Sequence, residues 1–308
     1  MRKFNLKDVA ANRMKNPETE IPLTEAEQQK ETERLAGEAD QGNLKGFRIA
    51  WRTDVGRVRK SNQDAVILGN GMAGVADGMG GHNGGEIASG GLRDGMLRET
   101  KGREPDRQAL EEAVKKMNLE LWEQQEHDAA LTGMGTTLTL LWPTEREILI
   151  AQIGDSRAYL LRGGEMRQVT ADHSLVGDMV RRGVLTEEQA ACHPMRNYIT
   201  RAVGTEDTIE VDLYSEGREK GDRWLVCSDG LYGMMSRSQL QELASLESEE
   251  EAADRLLQTA LDNGGKDNIT LILMTDETGD TPENAAQSDP GEKPVPDAET
   301  TEKGGEEA

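Results

Sequence analysis

The sequence predicts an α+β fold in which helices cover a core of two antiparallel sheets. Short segments in which apolar and polar residues alternate, such as 136–142 and 147–153, indicate strands. Segments with apolar residues three or four positions apart, such as 106–125 and 249–261, indicate amphipathic helices. The helices are grouped between runs of strands, and this order is typical of α+β proteins.

The individual elements follow from these patterns along the chain. Strands are predicted at 47–51, 65–68, 72–76, 136–142, 147–153, 157–161, 165–169, 211–214, 223–228 and 268–274. Helices are predicted at 85–98, 106–125, 236–244 and 249–261, and the last one ends at Asn263 and two glycines. Short turns join the four strands between 136 and 169, which predicts a continuous antiparallel meander.

Three regions of the chain differ in composition. Residues 1–46 are polar, and we expect a partly helical or disordered N-terminal extension there. Residues 47–275 carry the strand and helix patterns of the folded domain, and the stretch 170–205 within them looks like an irregular functional insertion. Residues 276–308 contain 11 acidic and 2 basic residues, which predicts a disordered acidic tail.

Charge and cysteine content exclude several classes of function. The net charge of −22 argues against nucleic acid as the main ligand. No apolar run approaches the roughly 18 residues of a membrane span, and we expect no signal peptide. Cys192 and Cys227 do not begin a Cys-x5-Arg phosphate loop, which disfavours thiol-based phosphatase chemistry. Cys227 lies in an apolar run and is predicted to be a buried thiol in a cytoplasmic protein.

Four aspartates stand directly beside apolar runs, next to glycine, serine or asparagine. They are Asp77, Asp155, Asp229 and Asp267. A single Asp-Gly pair is most simply a turn, but aspartate is depleted in strands, so four at strand ends suggest convergence on one site. Five glycines follow Asp77 within eight positions, which allows sharp turns and close approach of backbone carbonyls to a ligand.

Such a cluster points to metal-assisted phosphoester hydrolysis. Carboxylates with few histidines favour Mn²⁺ or Mg²⁺ over Zn²⁺. Two ions about 4 Å apart, bridged by Asp77, would activate a shared water. Arg59 can bind two oxygens of a phosphate through its planar guanidinium group, although a lone arginine is more often a surface residue. The short distance from Arg59 to Asn62-Gln63-Asp64 favours phosphate binding.

The chain resembles the metal-dependent protein phosphatases of type 2C, which act on serine and threonine, and most closely the bacterial members. The matching motifs occur in the family's order over about residues 47–275. They are Arg59 with Asn62-Gln63-Asp64, the segment 75–82, Gly135-Thr136-Thr137, Gly154-Asp155-Ser156-Arg157, Asp172-His173-Ser174, the segment 199–204, Cys227-Ser228-Asp229-Gly230 and Asp267-Asn268-Ile269-Thr270. The resemblance implies an antiparallel β-sandwich of two sheets flanked by helix pairs, in four layers.

The resemblance also implies roles for individual residues. Asp77 is expected to bridge two metal ions, with the carbonyl of Gly78 on the second ion. Asp229 and Asp267 are expected to complete the site of the first ion, and Asp64 to lie at the second through water. Together with Arg59, Asp77 and Asp229 are the expected catalytic residues.

Further expectations concern a third ion and the insertion. Asp155, with Asp229, matches a third, weaker metal site, although Asp155 could instead be a turn residue ahead of a salt bridge to Arg157. The stretch 170–205 matches a mobile flap that influences substrate selection. Met79 stands where eukaryotic members carry a proposed general-acid histidine, so the leaving group is expected to take its proton from water. His82 could replace that general-acid histidine, but this role is not favoured. His173 is expected to make structural hydrogen bonds.

Three functions from different classes compete. The leading interpretation is a phosphoserine and phosphothreonine phosphatase that uses two or three Mn²⁺ or Mg²⁺ ions. An inactive binding module with the phosphatase fold and a metal-dependent nuclease are the alternatives. Phosphorylated proteins are the expected partners, among them a eukaryotic-like serine/threonine kinase and its substrates. We expect a cytoplasmic monomer.

Overall fold

The computed structural model describes residues 44–80 and 84–278. The N-terminal extension up to residue 43, the tail from residue 279 and His82 lie outside the described residues. None of the helices in the described part combines the length and the apolar character that a membrane span requires.

The described strands form two antiparallel sheets. Sheet 1 has the order β1 (Phe47–Asp54), β11 (Ile269–Asp276), β10 (Arg223–Cys227), β7 (Arg157–Arg162) and β8 (Glu165–Gln168). Sheet 2 has the order β2 (Asp64–Gly69), β3 (Met72–Met79), β5 (Leu138–Pro143), β6 (Glu147–Ile153) and β9 (Asp212–Gly217), and the short β4 (Gly135–Thr136) pairs with the end of β3. The predicted strand at 136–142 is therefore divided between β4 and β5.

Helices cover the outer face of each sheet. On sheet 2 pack α1 (Gly84–Glu99) and α2 (Arg107–His127), and the insertion carries the short α3 (Leu175–Arg181) and α4 (Glu187–Ala191). A single turn, α5 (Asp229–Tyr232), follows β10, and α6 (Arg237–Ala244) and α7 (Glu249–Asp262) pack on sheet 1. This arrangement of helices, two sheets and helices confirms the predicted α+β fold.

The alternation of side chains along the strands explains the layers. In β11, Ile272 and Met274 lie in the cluster between the sheets, whereas Leu271 and Leu273 lie in the cluster beneath α6 and α7. Successive residues of a strand point to opposite faces, so a central strand that is covered on both faces is apolar throughout. All eight residues of β11 are buried accordingly.

The predicted meander between 136 and 169 is wrong. The β5–β6 hairpin belongs to sheet 2 and the β7–β8 hairpin belongs to sheet 1, so the chain changes sheets at Gly154-Asp155-Ser156. Gly154 has φ +94°, a left-handed conformation that glycine adopts without a steric penalty. Both hairpins show the same alternating pattern, which does not reveal to which sheet each belongs.

The helix ends follow local capping rules. Asp106 precedes α2 and its side chain accepts the Ala109 N–H at 2.8 Å. Ser248 precedes α7 and accepts the Glu251 N–H at 3.3 Å. These contacts satisfy backbone donors that have no partner in the first helical turn, and the helices begin within one or two residues of the predicted starts.

Candidate metal and phosphate site

The predicted site residues lie at one end of the sandwich. Asp64 and Asp77 are directly opposite each other on β2 and β3. Cys227, near the end of β10, pairs with Leu271 at the start of β11 and with Arg157 at the start of β7. Antiparallel pairing therefore brings the segments that carry Asp155, Asp229 and Asp267 to the same end of the strands of sheet 1. Hydrogen bonds connect this end to Asp64 of sheet 2.

Hydrogen bonds hold the two sheets together at this end. The Ser228 hydroxyl donates to Asp64 Oδ2 at 2.8 Å, and it accepts the Thr270 N–H at 3.1 Å. The Gln63 N–H donates to Asn268 Oδ1 at 2.8 Å. Asn268 also donates through Nδ2 to the carbonyls of Val55 and Ser61, both at 2.9 Å. Asn268 thus fixes the loop that carries Arg59 against the strand that follows Asp267.

The backbone around Asp77 is fixed by Thr137. The Asp77 N–H donates to Thr137 Oγ1 and the Thr137 N–H donates to the Asp77 carbonyl, both at 2.9 Å. Gly78 follows where no side chain fits, because a Cβ there would lie 2.1 Å from the Gly85 carbonyl and 2.5 Å from the Gln63 carbonyl. Thr137 of the 135–137 motif therefore holds the Asp77 backbone in place.

Asp64 has a strongly shifted acidity. Burial raises the pKa of its carboxyl group to about 7, and the nearby negative charges of Asp267 and Asp229 add to this shift. The hydrogen bond from Ser228 acts in the opposite direction. Asp64 Oδ1 is buried and accepts no hydrogen bond from the described residues. A buried carboxylate oxygen in this situation has an unmet need for a cationic or hydrogen-bonding partner.

Arg59 reaches Asp267. Its Nη2 lies 2.8 Å from Asp267 Oδ2, and the other carboxylate oxygen of Asp267 accepts the Asn268 N–H at 2.9 Å. Arg59 is half-buried, with 35% of its side chain exposed. The guanidinium group therefore stands beside the predicted metal ligands, within reach of a solvent-borne phosphate.

Asp155 and Asp229 lie around Tyr232. The Tyr232 hydroxyl donates to the Asp155 carbonyl at 2.9 Å, and its ring stacks on the Arg157 guanidinium at 3.7 Å. Burial raises the pKa of Tyr232, and the charges of Asp155 and Asp229 raise it further. Arg157 binds Asp172 through a forked ion pair, with Arg157 Nη2 2.7 Å from Asp172 Oδ2.

The donor atoms fit a hard divalent cation, but the side chains are not arranged as a complete coordination shell. Among residues 44–80 and 84–278, no three aspartate, glutamate, histidine or cysteine side chains are placed closely enough to hold an ion as they stand. Arg59 and Ser228 each engage one of the carboxylates. The all-oxygen donors and the buried Oδ1 of Asp64 suit Mg²⁺ or Mn²⁺, and ion binding requires these side chains to turn towards one another.

The insertion is anchored to the Asp155 segment through His173. The His173 Nδ1 atom accepts the Gly154 N–H at 3.1 Å, and its Nε2 atom lies 3.2 Å from Asp212 Oδ2. Burial lowers the pKa of His173, which keeps the ring neutral in this network. Met79 is buried against Ile199 and Ala202 of the insertion. Its thioether carries no proton that could be donated to a leaving group.

Three residues of this region were not singled out by the sequence analysis for their observed contacts. Ser228 connects the two sheets, Tyr232 covers Arg157, and Asn268 braces the Arg59 loop. Ser228 and Asn268 are adjacent to Asp229 and Asp267, which was the available signal. Tyr232 lies three residues after Asp229, and only the α5 turn brings its ring back over Arg157.

The prediction that Cys227 is a buried thiol is confirmed. Cys227 is buried, and burial raises the pKa of its thiol, so it remains an uncharged apolar group. Cys192 is exposed, and neither cysteine is in a disulfide.

Comparison with known proteins gives a consistent result. A family model described as protein phosphatase 2C matches residues 57–274. The serine/threonine protein phosphatase PstP of Mycobacterium tuberculosis is 40% identical over 230 residues, which cover 74% of this chain but only 44% of PstP. The serine/threonine phosphatase stp of Listeria innocua is 38% identical over 242 residues, covering 73% of this chain and 94% of that protein.

Solved structures show the same fold. The crystal structure of the M. tuberculosis serine/threonine phosphatase PstP/Ppp superposes with a TM-score of 0.71 and 38% identity, covering 75% of this chain and 99% of that chain. The catalytic domain of PstP in complex with two manganese ions gives a TM-score of 0.68 at 37% identity, covering 74% and 97%. The match to the family model, the identities and the shared fold agree, and the chain belongs to the protein phosphatase 2C family.

Proposed function

We propose that this chain is a metal-dependent protein serine/threonine phosphatase. The observation that carries the proposal is the gathering of five aspartate-bearing segments from both sheets at one end of the sandwich, beside a half-buried arginine. Phosphatase names among the relatives and the two manganese ions in the PstP catalytic domain support it.

The acidic residues would hold two Mn²⁺ or Mg²⁺ ions. Asp77 and the Gly78 carbonyl would lie at the centre of the site, and Asp229 and Asp267 from sheet 1 and Asp64 from sheet 2 would complete it. Asp155, beside Tyr232, would contribute to a third, weaker site with Asp229. When bound, such ions would lower the pKa of water, so that hydroxide is available as the nucleophile near neutral pH.

The remaining roles follow from the chain itself. Arg59 offers a planar pair of donors for two non-bridging phosphate oxygens, which orients the phosphorus for in-line attack. Thr137 fixes the Asp77 backbone and Asn268 fixes the Arg59 loop, so the acidic and basic groups keep a defined separation. Met79 cannot protonate the serine or threonine oxygen that leaves, so solvent water supplies that proton.

Phosphoserine and phosphothreonine in proteins are the proposed substrates, and the enzyme would reverse the action of serine/threonine kinases in the cytoplasm. The test is release of phosphate from a phosphothreonine peptide and from p-nitrophenyl phosphate by the full chain. We expect activity with Mn²⁺ or Mg²⁺ and loss of activity with EDTA.

Two variants make this test specific. Asp229→Asn removes a proposed ligand, whereas Asp254→Asn removes a negative charge from the exposed outer face of α7, where Asp254 pairs with Arg52. We expect no turnover from the first variant and normal turnover from the second. A folded wild-type chain that binds phosphopeptides but releases no phosphate with either metal would instead be an inactive binding module.

A further inference from the structure

Two loops lie side by side at the mouth of the proposed site. The Arg57 N–H donates to the Gly265 carbonyl at 2.7 Å, and a Cβ at Gly56 would lie 2.2 Å from the Asp267 carbonyl. Gly56 has φ +81°, so glycine permits both the backbone conformation and the close approach. The positions of Arg57 and Lys266 relative to Arg59 and Asp267 are therefore set by the backbone.

These two loops carry a concentration of positive charge. Arg57, Lys60 and Lys266 are exposed around the half-buried Arg59, and we refer to these three residues as the basic rim. The rim contrasts with the whole chain, whose net charge is −22. Asp54 and Asp262 also flank the loops in sequence: Asp54 accepts the Gly56 N–H at 2.7 Å, and Asp262 accepts from Gln258 at 2.7 Å.

The geometry defines what the rim can contact. An extended peptide rises by about 3.3 Å per residue, so positions one or two residues from a phosphate on Arg59 lie about 3–7 Å along the chain. Arg57 is two residues from Arg59, and Lys266 directly precedes the Asp267 that Arg59 contacts. Because these positions adjoin Arg59 and Asp267, we expect the side chains of the rim to contact the neighbours of the phosphorylated residue and not its phosphate alone.

We propose that the basic rim selects phosphoproteins in which the phosphorylated serine or threonine is flanked by acidic or further phosphorylated residues. This inference rests on the proposed function, because it assigns a substrate class to the same site. Exposed ion pairs are individually weak and are screened by salt. Several acting together would give about a 3- to 30-fold preference at low ionic strength.

Binding of non-hydrolysable peptides tests the rim without requiring turnover. Three fluorescent peptides would carry the same phosphonate analogue of phosphothreonine, flanked by glutamate, alanine or lysine. We expect the full chain with Mn²⁺ to bind the glutamate peptide about tenfold more tightly than the alanine peptide, and the lysine peptide most weakly. The preference should shrink strongly in about 0.5 M salt, where charges beyond about 4 Å are screened.

A double variant and a matched control locate the effect. Arg57→Gln with Lys266→Gln removes two charges from the rim, whereas Lys101→Gln with Lys220→Gln removes two exposed charges at the opposite end of the sandwich. We expect the first variant to lose most of the preference for the glutamate peptide and the second to keep it.

The outcomes separate this inference from the proposed function. Equal binding of all three peptides by the wild-type chain, or an acidic preference that survives in the rim variant, overturns the role of the rim. An acidic preference that disappears only in the rim variant supports it, even if no phosphate is released from any substrate. If the preference depends on the rim but no phosphate is released from any substrate, the phosphatase proposal is contradicted, and the site is instead a binding site for acidic phosphopeptides.

Discussion

Asp222 and Asp276 at one end of the sandwich and Asp64 at the other are buried aspartates whose charge is compensated in different ways. At the end away from the site, Asp276 is bound by Arg218 at 2.6 and 2.9 Å, and Asp222 is bound by Arg162 at 2.7 and 2.6 Å. At the site end, Asp64 accepts a hydrogen bond from the Ser228 hydroxyl group and lies near the negative charges of Asp229 and Asp267.

The difference lies in how the charge of each buried carboxylate is compensated. A forked arginine pair compensates the desolvation of a buried carboxylate within the protein itself. Carboxylates that are buried next to one another raise their own pKa and keep a need for external positive charge. The comparison therefore distinguishes Asp64, which keeps such a need, from Asp222 and Asp276, which do not.

The largest effect that would sharpen this comparison is expected at Asp77. Asp77→Asn should reduce metal-dependent phosphate release at least about 1,000-fold, because it removes the carboxylate that is proposed to bridge two ions. Thermal unfolding in EDTA should show a native fold with unchanged or higher stability, since a negative charge leaves a crowded acidic site. Substantial activity in this variant would contradict the assigned role.

The opposite end should respond in stability instead. Arg218→Ala leaves the buried carboxylate of Asp276 without its forked partner and should destabilise the fold by about 3–5 kcal/mol in urea unfolding. Arg218→Met combined with Asp276→Leu removes both charges and should cost less. If the single variant is as stable as the wild type, the distinction between the two ends does not hold.

Arg59 provides an intermediate test. Arg59→Lys keeps the charge but loses the planar fork, and kcat/KM for phosphopeptides and p-nitrophenyl phosphate should fall by about 10- to 100-fold. Circular dichroism should show an unchanged fold, because Arg59 is half-buried and its partner Asp267 retains the Asn268 N–H bond. Retained kcat/KM would mean that only the charge of Arg59 matters.

The smallest expected effect concerns the pH dependence of stability at Asp64. Because its pKa is raised to about 7 in the native state, the unfolded chain ionises first as pH rises above about 4, and the native state loses relative stability until pH 7 is passed. In EDTA, Asp64→Asn should be more stable than the wild type by about 1–3 kcal/mol at pH 8. The gap should close towards pH 4 in urea unfolding, and a pH-independent gap would argue against the shifted pKa.

Much of the fold could be predicted because local patterns determine it. The apolar run in 147–153 reflects a strand that is covered on both faces, and the helical spacing in 249–261 reflects burial of one helix face. The assignment of hairpins to sheets could not be predicted, because β6 and β7 have equivalent patterns on both sides of Gly154. The strand predicted at 136–142 was divided because Thr136 pairs with Gly78, and Leu138 starts a separate ladder.

The sequence predicts which residues form the proposed site, but it does not predict the contacts that these residues make. Aspartates at strand ends can be recognised in the sequence as candidate site residues, because aspartate is disfavoured in the interior of strands. The pairing of Arg59 with Asp267, separated by 208 positions, depends on a long-range approach of two loops that no local pattern encodes. The same holds for Arg157, whose forked partner Asp172 is 15 positions away.

The change of sheets at Gly154-Asp155 and the bond between Ser228 and Asp64 have a mechanical consequence. Asp77 belongs to sheet 2 and Asp229 follows a strand of sheet 1, so an ion held by both, as proposed, would cross-link the two halves of the sandwich. Sliding of one sheet over the other then requires release of that ion, and occupancy of the site should slow amide hydrogen exchange in central strands such as β3 and β10.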